Sequence, residues 1–200
     1  MNGSVVGTEF IPAGIKRFLK NVYWHLFGIF FNNPPVPAAP RSFLFICQGN
    51  ICRSPFTEAA ARRCFADVQG TTFRSAGLIV NTARESPPNA IAAAKTFGID
   101  LSSHRSIKIN EDMVAAADMV FGMEAWHFRN LRKRFPQYKE KMFLLAPFEN
   151  TATVRRNQFN IYNIQDPYGR DLKDFENCFE RIEECLRGLF SVIQDSQVCG

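Results

Sequence analysis

Residues 47–55 constrain the fold of this chain more than any other stretch of the sequence. They read Cys-Gln-Gly-Asn-Ile-Cys-Arg-Ser-Pro, and they follow the apolar, β-prone run 43–46. Ser54 suits the N-cap of a following helix, with Pro55 at the first helical position. The pattern therefore predicts a strand, a tight loop and a helix N-terminus in direct succession.

A loop of this kind is suited to bind an anion, because consecutive backbone N–H groups point inward and the helix end adds positive potential. Arg53 adds a planar guanidinium group that matches the oxygens of phosphate. Cys47 stands where a cation and a helix N-terminus favour the thiolate, and Ser54 is expected to donate to its sulfur. We therefore predict Cys47 as a nucleophile directed at phosphorus, with Arg53 holding the charge. The other predicted phosphate-binding residues are Gln48, Gly49, Asn50, Ile51, Cys52 and Ser54.

The spacing of Cys47 and Arg53, with five residues between them, resembles the signature of cysteine-dependent phosphatases. The longer form Cys-x-Gly-Asn-x-Cys-Arg-Ser-Pro resembles the low-molecular-weight protein tyrosine phosphatase family. The resemblance extends over residues 42–190 and includes the segments 75–77 and 98–105. It implies hydrolysis of phosphotyrosine through a cysteinyl-phosphate intermediate, without a metal or cofactor.

The same resemblance implies roles for three residues outside the loop. Asp166, in Gln165-Asp166-Pro167-Tyr168, corresponds to the general acid and base, and Tyr168 to a wall of the aromatic slot. His104 corresponds to a supporting residue that contacts Asn50 and Ser54 and braces the phosphate loop. No role is assigned to His25 or His127.

Two departures from the family pattern concern the aromatic slot. Residues 78–80 are Leu-Ile-Val where many members have Trp or Tyr, and Gly169 follows Tyr168 where many members have a second aromatic residue. The sequence is in this respect similar to the bacterial subclass linked to tyrosine kinases of polysaccharide export. The implied partners are a phosphotyrosine protein substrate and, as one candidate, a bacterial tyrosine kinase.

Three alternative functions stay open. A phosphoarginine phosphatase has a similar signature with Thr where Ile51 stands, so Ile51 favours tyrosine. A thiol-dependent arsenate reductase of the same fold needs further cysteines near the third strand, and residues 119–123 contain none. A non-catalytic phosphate-binding adaptor would lack the chemical residues that are present here.

The alternation of apolar runs with helical patterns predicts an α/β fold with a parallel sheet covered on both faces. We expect strands at 42–47, 72–75, 118–123 and 142–145, and the resemblance implies a three-layer arrangement with strand order 2-1-3-4. The expected helices are 54–67, 88–97, a short one capped by Asn110, one around Phe128, and 173–194. The loop after the first strand then lies at the carboxyl edge of the sheet, where ligands bind in such folds.

Residues 1–40 are predicted to be a separate arm, and residues 41–200 the phosphatase domain. Apolar residues recur at helical spacing through 10–31, with Lys16, Arg17 and Lys20 on the opposite side, which indicates an amphipathic helix. Pro34, Pro35, Pro37 and Pro40 then form a stiff linker. The apolar end of this helix is too short to cross a membrane, because a membrane span needs about 20 residues. Three roles are considered for 10–31: contact with the domain or with a second copy in a dimer, contact with an anionic membrane surface, or a cleaved export signal.

Composition adds limits on partners and location. The net charge is +5, but no dense run of Lys and Arg with aromatic residues is present, so no nucleic-acid partner is predicted. The six cysteines show no zinc-like spacing with histidine. A working thiolate implies a reducing compartment, so we expect a cytoplasmic enzyme, peripheral at the membrane if the arm binds lipid.

Overall fold

The computed structural model describes residues 19, 22, 23, 26, 31–65, 70–149 and 157–198. The chain divides into two compact units, Met1–Asn32 and Asn33–Gly200. In the first unit Leu19, Val22, Tyr23 and Leu26 are helical, in agreement with the predicted amphipathic helix. The rest of that predicted helix lies outside the described residues. Among the helices that are described, none has the length and apolar character to cross a membrane.

The second unit is built on a four-stranded, all-parallel sheet in the order β2-β1-β3-β4. Its strands are β1 (Ser42–Cys47), β2 (Thr72–Gly77), β3 (Met119–Gly122) and β4 (Met142–Leu144). The predicted strands and strand order are confirmed, with ends that differ by one or two residues. Because β1 lies in the interior of the sheet, its last residue has the ends of β2 and β3 on either side.

Six α-helices are described around this sheet. They are α1 (Arg53–Cys64), α2 (Pro88–Thr96), α3 (Glu111–Ala116), α4 (Ala125–Arg134), α5 (Gln158–Tyr162) and α6 (Leu172–Val198), with 3-10 turns at Pro136–Lys141 and Ala146–Phe148. Asn110 caps α3 as predicted, since its side chain accepts from the Met113 N–H at 2.9 Å. Helix α5 is not anticipated by the sequence analysis.

Alternate residues of the strands face opposite sides of the sheet, as the two-residue repeat of a strand requires. Phe43, Phe45 and Cys47 belong to the main core cluster, which also contains Phe56 of α1 and Phe179 of α6. The rings of Phe56 and Phe179 stack with centroids 3.9 Å apart. On the other side, the fully buried residues of β1, β3 and β4 are covered by α3 and α4, so both faces are apolar. This explains why β1, β3 and β4 are continuous apolar runs rather than alternating ones. The edge strand β2 instead begins with alternating exposed and buried residues.

The start of α1 differs from the prediction. The helix begins at Arg53, with Cys52 in the N-cap position and no side-chain cap, so Ser54 is not the N-cap. Ser54 occupies the second helical position, where its hydroxyl is directed to Cys47 rather than to a backbone N–H. Pro55 stands in the first turn, where a missing N–H has little cost because these donors have no partner within the helix.

Segment 33–40 belongs to the second unit and is held in place by contacts with its sheet and core. The Asn33 side chain donates to the Leu144 carbonyl oxygen at 3.0 Å and accepts from the Leu144 N–H at 2.8 Å. Val36 packs against the core cluster, and Pro40 is buried. The proline-rich segment is therefore fixed in place by contacts as well as stiffened by its composition.

Candidate active site

The site lies where the carboxyl ends of the central strands meet. Cys47 ends β1 and pairs in register with Gly77, the last residue of β2. A cavity of about 310 Å³ opens in front of Cys47. Its lining includes the predicted residues Gln48, Gly49, Ile51, Cys52, Arg53, Asp166 and Tyr168, together with Ile79, Val80, Asn81, Thr82 and Arg84.

The Cys47 sulfur receives two hydrogen bonds from its own loop. The Asn50 backbone N–H donates to Sγ at 3.2 Å, and the Ser54 hydroxyl donates at 3.1 Å. Both donors direct a hydrogen atom at the sulfur, where they can stabilise negative charge that develops during a reaction. The predicted contact of Ser54 with Cys47 is present in the structure. Helix α1 begins at Arg53, directly after the loop, so its N-terminus adds positive potential there.

Asn50 holds the loop together. It has a φ of +52°, in the left-handed region that asparagine tolerates better than most residues. Its side-chain amide donates to Ser54 and Ser75, both at 2.9 Å, and its side-chain oxygen accepts from the Ile107 N–H. His104 Nε2 lies 2.7 Å from the Asn50 carbonyl oxygen. Asn50 is fully buried, so every one of these polar groups has a partner as burial requires.

Two neighbours support this arrangement from the side of β2. The Ser75 hydroxyl donates to Glu58 at 2.7 Å, which extends the hydrogen-bond network from Cys47 to a carboxylate on α1. Gly77 has no room for a side chain, because a Cβ atom there would lie 2.9 Å from the backbone of Gly49 and 3.0 Å from that of Asn50. The glycine is therefore needed for the close approach of β2 to the loop.

Arg53 is almost fully buried, with 1% of its surface exposed. Its guanidinium forms ion pairs with Glu124 and, at 2.7 Å, with Asp166, and it donates to the Ile164 carbonyl oxygen at 2.9 Å. Burial alone would lower the pKa of Arg53, but the negative charges of Cys47, Asp166 and Glu124 outweigh it and raise that pKa. Its Nε has no hydrogen-bond partner in the described part of the chain. A buried N–H without an acceptor is costly, so this donor fits a ligand oxygen.

The Asp166 loop is fixed by contacts to Met123, the residue after β3, and to α6. The Ile164 N–H donates to the Met123 carbonyl oxygen at 2.8 Å, and Arg181 donates to that of Asn163 at 2.7 Å. One Asp166 oxygen faces Arg53, and the other accepts from the Tyr168 N–H at 3.2 Å. Tyr168 is 55% exposed at the cavity mouth, which leaves its ring available to an incoming group.

Glu124 and His127 belong to this site although sequence reasoning assigned neither a role. They form a capping box at the start of α4, in which His127 Nδ1 accepts from the Glu124 N–H at 3.0 Å. The box fixes the Glu124 carboxylate beside Arg53. Burial, and then the charge of Arg53, lower the pKa of His127 well below its usual value. A usable signal was present: Glu124 stands two residues after the end of β3, at the edge where the loop after β1 also lies.

His127→Gln is expected to make stability less sensitive to acid. Gln at this position keeps the capping box, but it removes a group that stays neutral when folded and takes up a proton when unfolded. Because the folded pKa lies below the unfolded value of 6.5, the unfolded state binds more protons as pH falls below 6.5. Wild type should therefore lose up to about 1.4 kcal/mol per pH unit more than the variant in this range. Urea unfolding at pH 7 and pH 5.5 measures the difference, and equal losses in both proteins would contradict it.

The predicted site residues are brought together in one place. Cys47, Arg53 and Asp166 share the cavity with the loop residues and Tyr168, while Asn50 and Ser54 lie buried behind it. His104 contacts Asn50 as expected. Its predicted contact with Ser54 is not found, because the Ser54 hydroxyl is engaged by Cys47 and Asn50 instead.

The site combines a cysteine at the start of an anion-binding loop, a buried arginine whose Nε has no partner among the described residues, and a facing carboxylate. These are the parts of a cysteine-dependent phosphatase. The family model "Low molecular weight phosphotyrosine protein phosphatase" matches residues 42–198. The chain therefore belongs to the low-molecular-weight phosphotyrosine protein phosphatase family.

Relatives within the family differ in the activity that their names state. One is the "Probable low molecular weight protein-tyrosine-phosphatase EpsP" of Ralstonia nicotianae, 29% identical over 72% of this chain and 89% of its own. The arginine phosphatase YwlE of Geobacillus stearothermophilus has a similar structure, with a TM-score of 0.68 and 27% identity over 80% of this chain and 96% of its own. A low-molecular-weight protein tyrosine phosphatase from T. tengcongensis gives a TM-score of 0.65 and 27% identity over 75% of this chain and 97% of its own. Overall similarity therefore does not separate tyrosine from arginine as the phosphorylated residue.

Proposed function

We propose that this protein is a protein-tyrosine phosphatase that works through a cysteinyl-phosphate intermediate. The observation that carries the proposal is the Arg53 guanidinium, buried beside Cys47 with an Nε donor that has no acceptor among the described residues. Phosphate oxygens would supply that acceptor. The family membership and the shared cavity of Cys47, Arg53 and Asp166 support the same reaction.

In the first step, the Cys47 sulfur attacks phosphorus and the bond from phosphorus to the tyrosine oxygen breaks. Arg53 and the loop N–H groups hold the other phosphate oxygens, which stabilises the charge that develops. Asp166 gives its proton to the leaving phenolic oxygen. A bound phosphate would compete with Asp166 for Arg53, which would leave the Asp166 carboxyl group available to face the leaving oxygen.

In the second step, water attacks the phosphorus of the cysteinyl-phosphate, and the bond from sulfur to phosphorus breaks. Asp166, now ionised, accepts a proton from this water and so returns to its acid form. The departing sulfur carries negative charge. The hydrogen bonds from Ser54 and the Asn50 N–H are placed to stabilise it, which assists the release of phosphate.

Preference for tyrosine over arginine is supported by the apolar side of the cavity. Ile51 and Ile79 line it together with the exposed ring of Tyr168, and these surfaces suit a phenyl ring better than a charged guanidinium. Thr at position 51 would add a hydroxyl that can bond to a guanidinium N–H.

The test compares phosphate release from a phosphotyrosine peptide and a phosphoarginine peptide of the same sequence, for wild type and Ile51→Thr. Wild type is expected to favour phosphotyrosine, and the variant to shift toward phosphoarginine, since one pocket contact changes specificity by a factor of about 10 to 200. Faster turnover of phosphoarginine by wild type would overturn the tyrosine assignment. Turnover of neither peptide would favour a phosphate-binding adaptor.

We also propose a cytoplasmic location and, as substrate, a phosphorylated bacterial protein such as a tyrosine kinase of polysaccharide export. A free thiol nucleophile, which needs a reducing compartment, supports the location. The polysaccharide-export assignment rests on the less aromatic slot, with Leu78, Ile79 and Val80 on one side and Gly169 after Tyr168. Phosphoproteins retained by Cys47→Ser and identified by mass spectrometry would test the substrate.

The arm is proposed to bind an apolar surface through residues 10–31. That surface belongs to its own domain, to a second copy of the protein or to an anionic membrane. Leaving several large apolar side chains in water is unfavourable, because burying each gains about 1.5–3 kcal/mol. Although the proposed domain division falls at residue 41, segment 33–40 belongs to the second unit and contacts its sheet and core through Asn33 and Val36. The informative truncation therefore removes residues 1–32 and keeps Asn33.

Removal of residues 1–32 is expected to leave aryl phosphate turnover within about twofold of wild type, because residues 33–200 contain the site and transition-state contacts set the rate. Flotation with anionic and with neutral vesicles is measured for both chains. Binding of the full chain to anionic vesicles alone, lost on truncation, would support the membrane surface. Failure of the full chain to float, with a lower melting temperature or a smaller oligomer after truncation, would support contact with the protein itself.

A further inference from the structure

The loop between β2 and α2 forms one wall of the cavity and is fastened to the phosphate loop. The Leu78 N–H donates to the Cys47 carbonyl oxygen at 3.1 Å, and the Ile79 N–H donates to that of Gln48 at 2.9 Å. Ile79 to Thr82 and Arg84 all line the cavity. The phosphate loop therefore positions this wall. The side chains of the wall would contact the part of a substrate that lies next to the scissile phosphate.

Arg84 is the cation of this wall. A Cβ atom on Gly49 would lie 3.4 Å from a terminal nitrogen of Arg84, so the guanidinium rests against the phosphate loop. Its backbone is fixed twice to Ser106, whose hydroxyl accepts from the Arg84 N–H at 2.9 Å and whose N–H donates to the Arg84 carbonyl oxygen at 2.9 Å. Ser106 is itself buried, so this anchor belongs to the folded core.

The charge of Arg84 is not neutralised by its neighbours. No hydrogen bond or ion pair to its guanidinium is found within residues 31–65, 70–149 and 157–198. The adjacent acid, Glu85, is instead paired with Arg105 at 2.7 Å. Arg53, the other cation of the cavity, already faces Glu124 and Asp166. Arg84 is thus an exposed positive charge on the cavity wall, outside the set of groups that the reaction uses.

We propose that Arg84 determines substrate specificity by binding an anionic group next to the phosphotyrosine. This inference rests on the proposed function and adds the class of substrate: peptides with a carboxylate or a second phosphate beside the phosphorylated tyrosine. Both are oxygen anions that a guanidinium binds through two N–H groups. In an extended peptide, the next two residues lie roughly 3.5 and 7 Å along the chain, within reach of a cation at the cavity mouth.

Three peptides of equal length test the proposal. In these peptides the phosphotyrosine is followed by two Glu residues, by two Gln residues, or by a second phosphotyrosine and Gln. Phosphate release is measured as kcat/KM for wild type, Arg84→Gln and Arg84→Lys. For each protein, the kcat/KM of an anionic peptide is divided by the kcat/KM of the Gln peptide, and these ratios are compared. A general change in activity or folding then cancels.

Wild type is expected to favour the Glu peptide by about three- to fivefold, because an exposed ion pair contributes modestly. The preference should appear in KM rather than kcat, since Arg84 contacts the bound peptide equally before and during the reaction. Arg84→Gln should bring the ratio near one, whereas Arg84→Lys should keep most of the preference for the Glu peptide. The ratio should also fall at high ionic strength because the charges are exposed.

Arg132→Ala provides the control for net charge, because Arg132 is exposed on α4 and does not line the cavity. It should keep the wild-type ratio. An unchanged ratio in Arg84→Gln would overturn the proposal. This holds even if the variant hydrolyses all three peptides equally more slowly, because Arg84 would then act on the scissile phosphate itself. A preference for the second phosphate alone would restrict the class to doubly phosphorylated peptides. Turnover of the Gln peptide without any charge preference would reject Arg84 while leaving the phosphatase assignment intact, whereas no turnover of any peptide would reject both.

Discussion

Cys47→Ser is expected to abolish turnover while phosphate binding is kept. The reaction loses its covalent nucleophile, and such a loss lowers kcat by at least about a thousandfold. A serine hydroxyl at this position is a weaker nucleophile than the thiol that the Asn50 N–H and the Ser54 hydroxyl contact in wild type. Binding is retained because Arg53 and the loop N–H groups are unchanged. The measurements are aryl phosphate turnover and titration with inorganic phosphate.

Cys64→Ser is the matched control for this experiment. Cys64 is the exposed last residue of α1 and lies outside the cavity, so its replacement should leave turnover as in wild type. Residual activity of Cys47→Ser above about a thousandth of wild type would contradict the nucleophile assignment. Loss of phosphate binding in that variant would show instead that the loop depends on the sulfur for its shape.

Asp166→Ala is expected to slow phosphotyrosine far more than the phosphate ester of an acidic phenol. A phenolate that is stable without a proton leaves unaided, whereas tyrosine needs the acid, whose contribution is about 10²–10⁴-fold. A plot of rate against the acidity of the leaving phenol should therefore become steeper in the variant. The experiment uses a series of substituted aryl phosphates with one enzyme preparation.

Asp166→Asn separates the proton from the shape of the loop. The amide can still accept from the Tyr168 N–H, as the carboxylate does at 3.2 Å, but it cannot donate a carboxylic proton. Both variants should show the same steep dependence. If neither differs from wild type, the acid lies elsewhere. If only Ala shows the effect, then Asp166 acts by ordering the loop and not by proton transfer.

Most of the fold and the centre of the site can be predicted from local sequence. The run from Phe43 to Cys47 is apolar at each position because both faces of the sheet are covered, and this same feature allowed a buried parallel strand to be predicted. The spacing of Cys47 and Arg53 is contained in one loop, whose geometry is set by neighbours in sequence. Asp166 depended on resemblance, since Asp-Pro alone is a common turn.

Contacts between distant residues were less accessible to this reasoning. Ser54 was predicted as an N-cap because such a residue before a helix normally bonds to backbone N–H groups, but the sulfur seven residues earlier competes for its hydroxyl. Glu124 meets Arg53 across 71 positions, and no periodicity or motif marks an acid for that purpose. The role of His127 follows only once the capping box at α4 is seen.

The contacts of Asn33 have a further consequence for how molecules of this protein meet one another. β4 is an outer strand, and the N–H and C=O of Leu144 point away from the sheet. Without a partner in this protein, they could pair with a strand of another molecule. The amide of Asn33 occupies both groups, and the prolines that follow offer no ladder of N–H donors. A shortened chain that starts at residue 42, where the family match begins, would therefore gain an open sheet edge and a tendency to aggregate by strand addition.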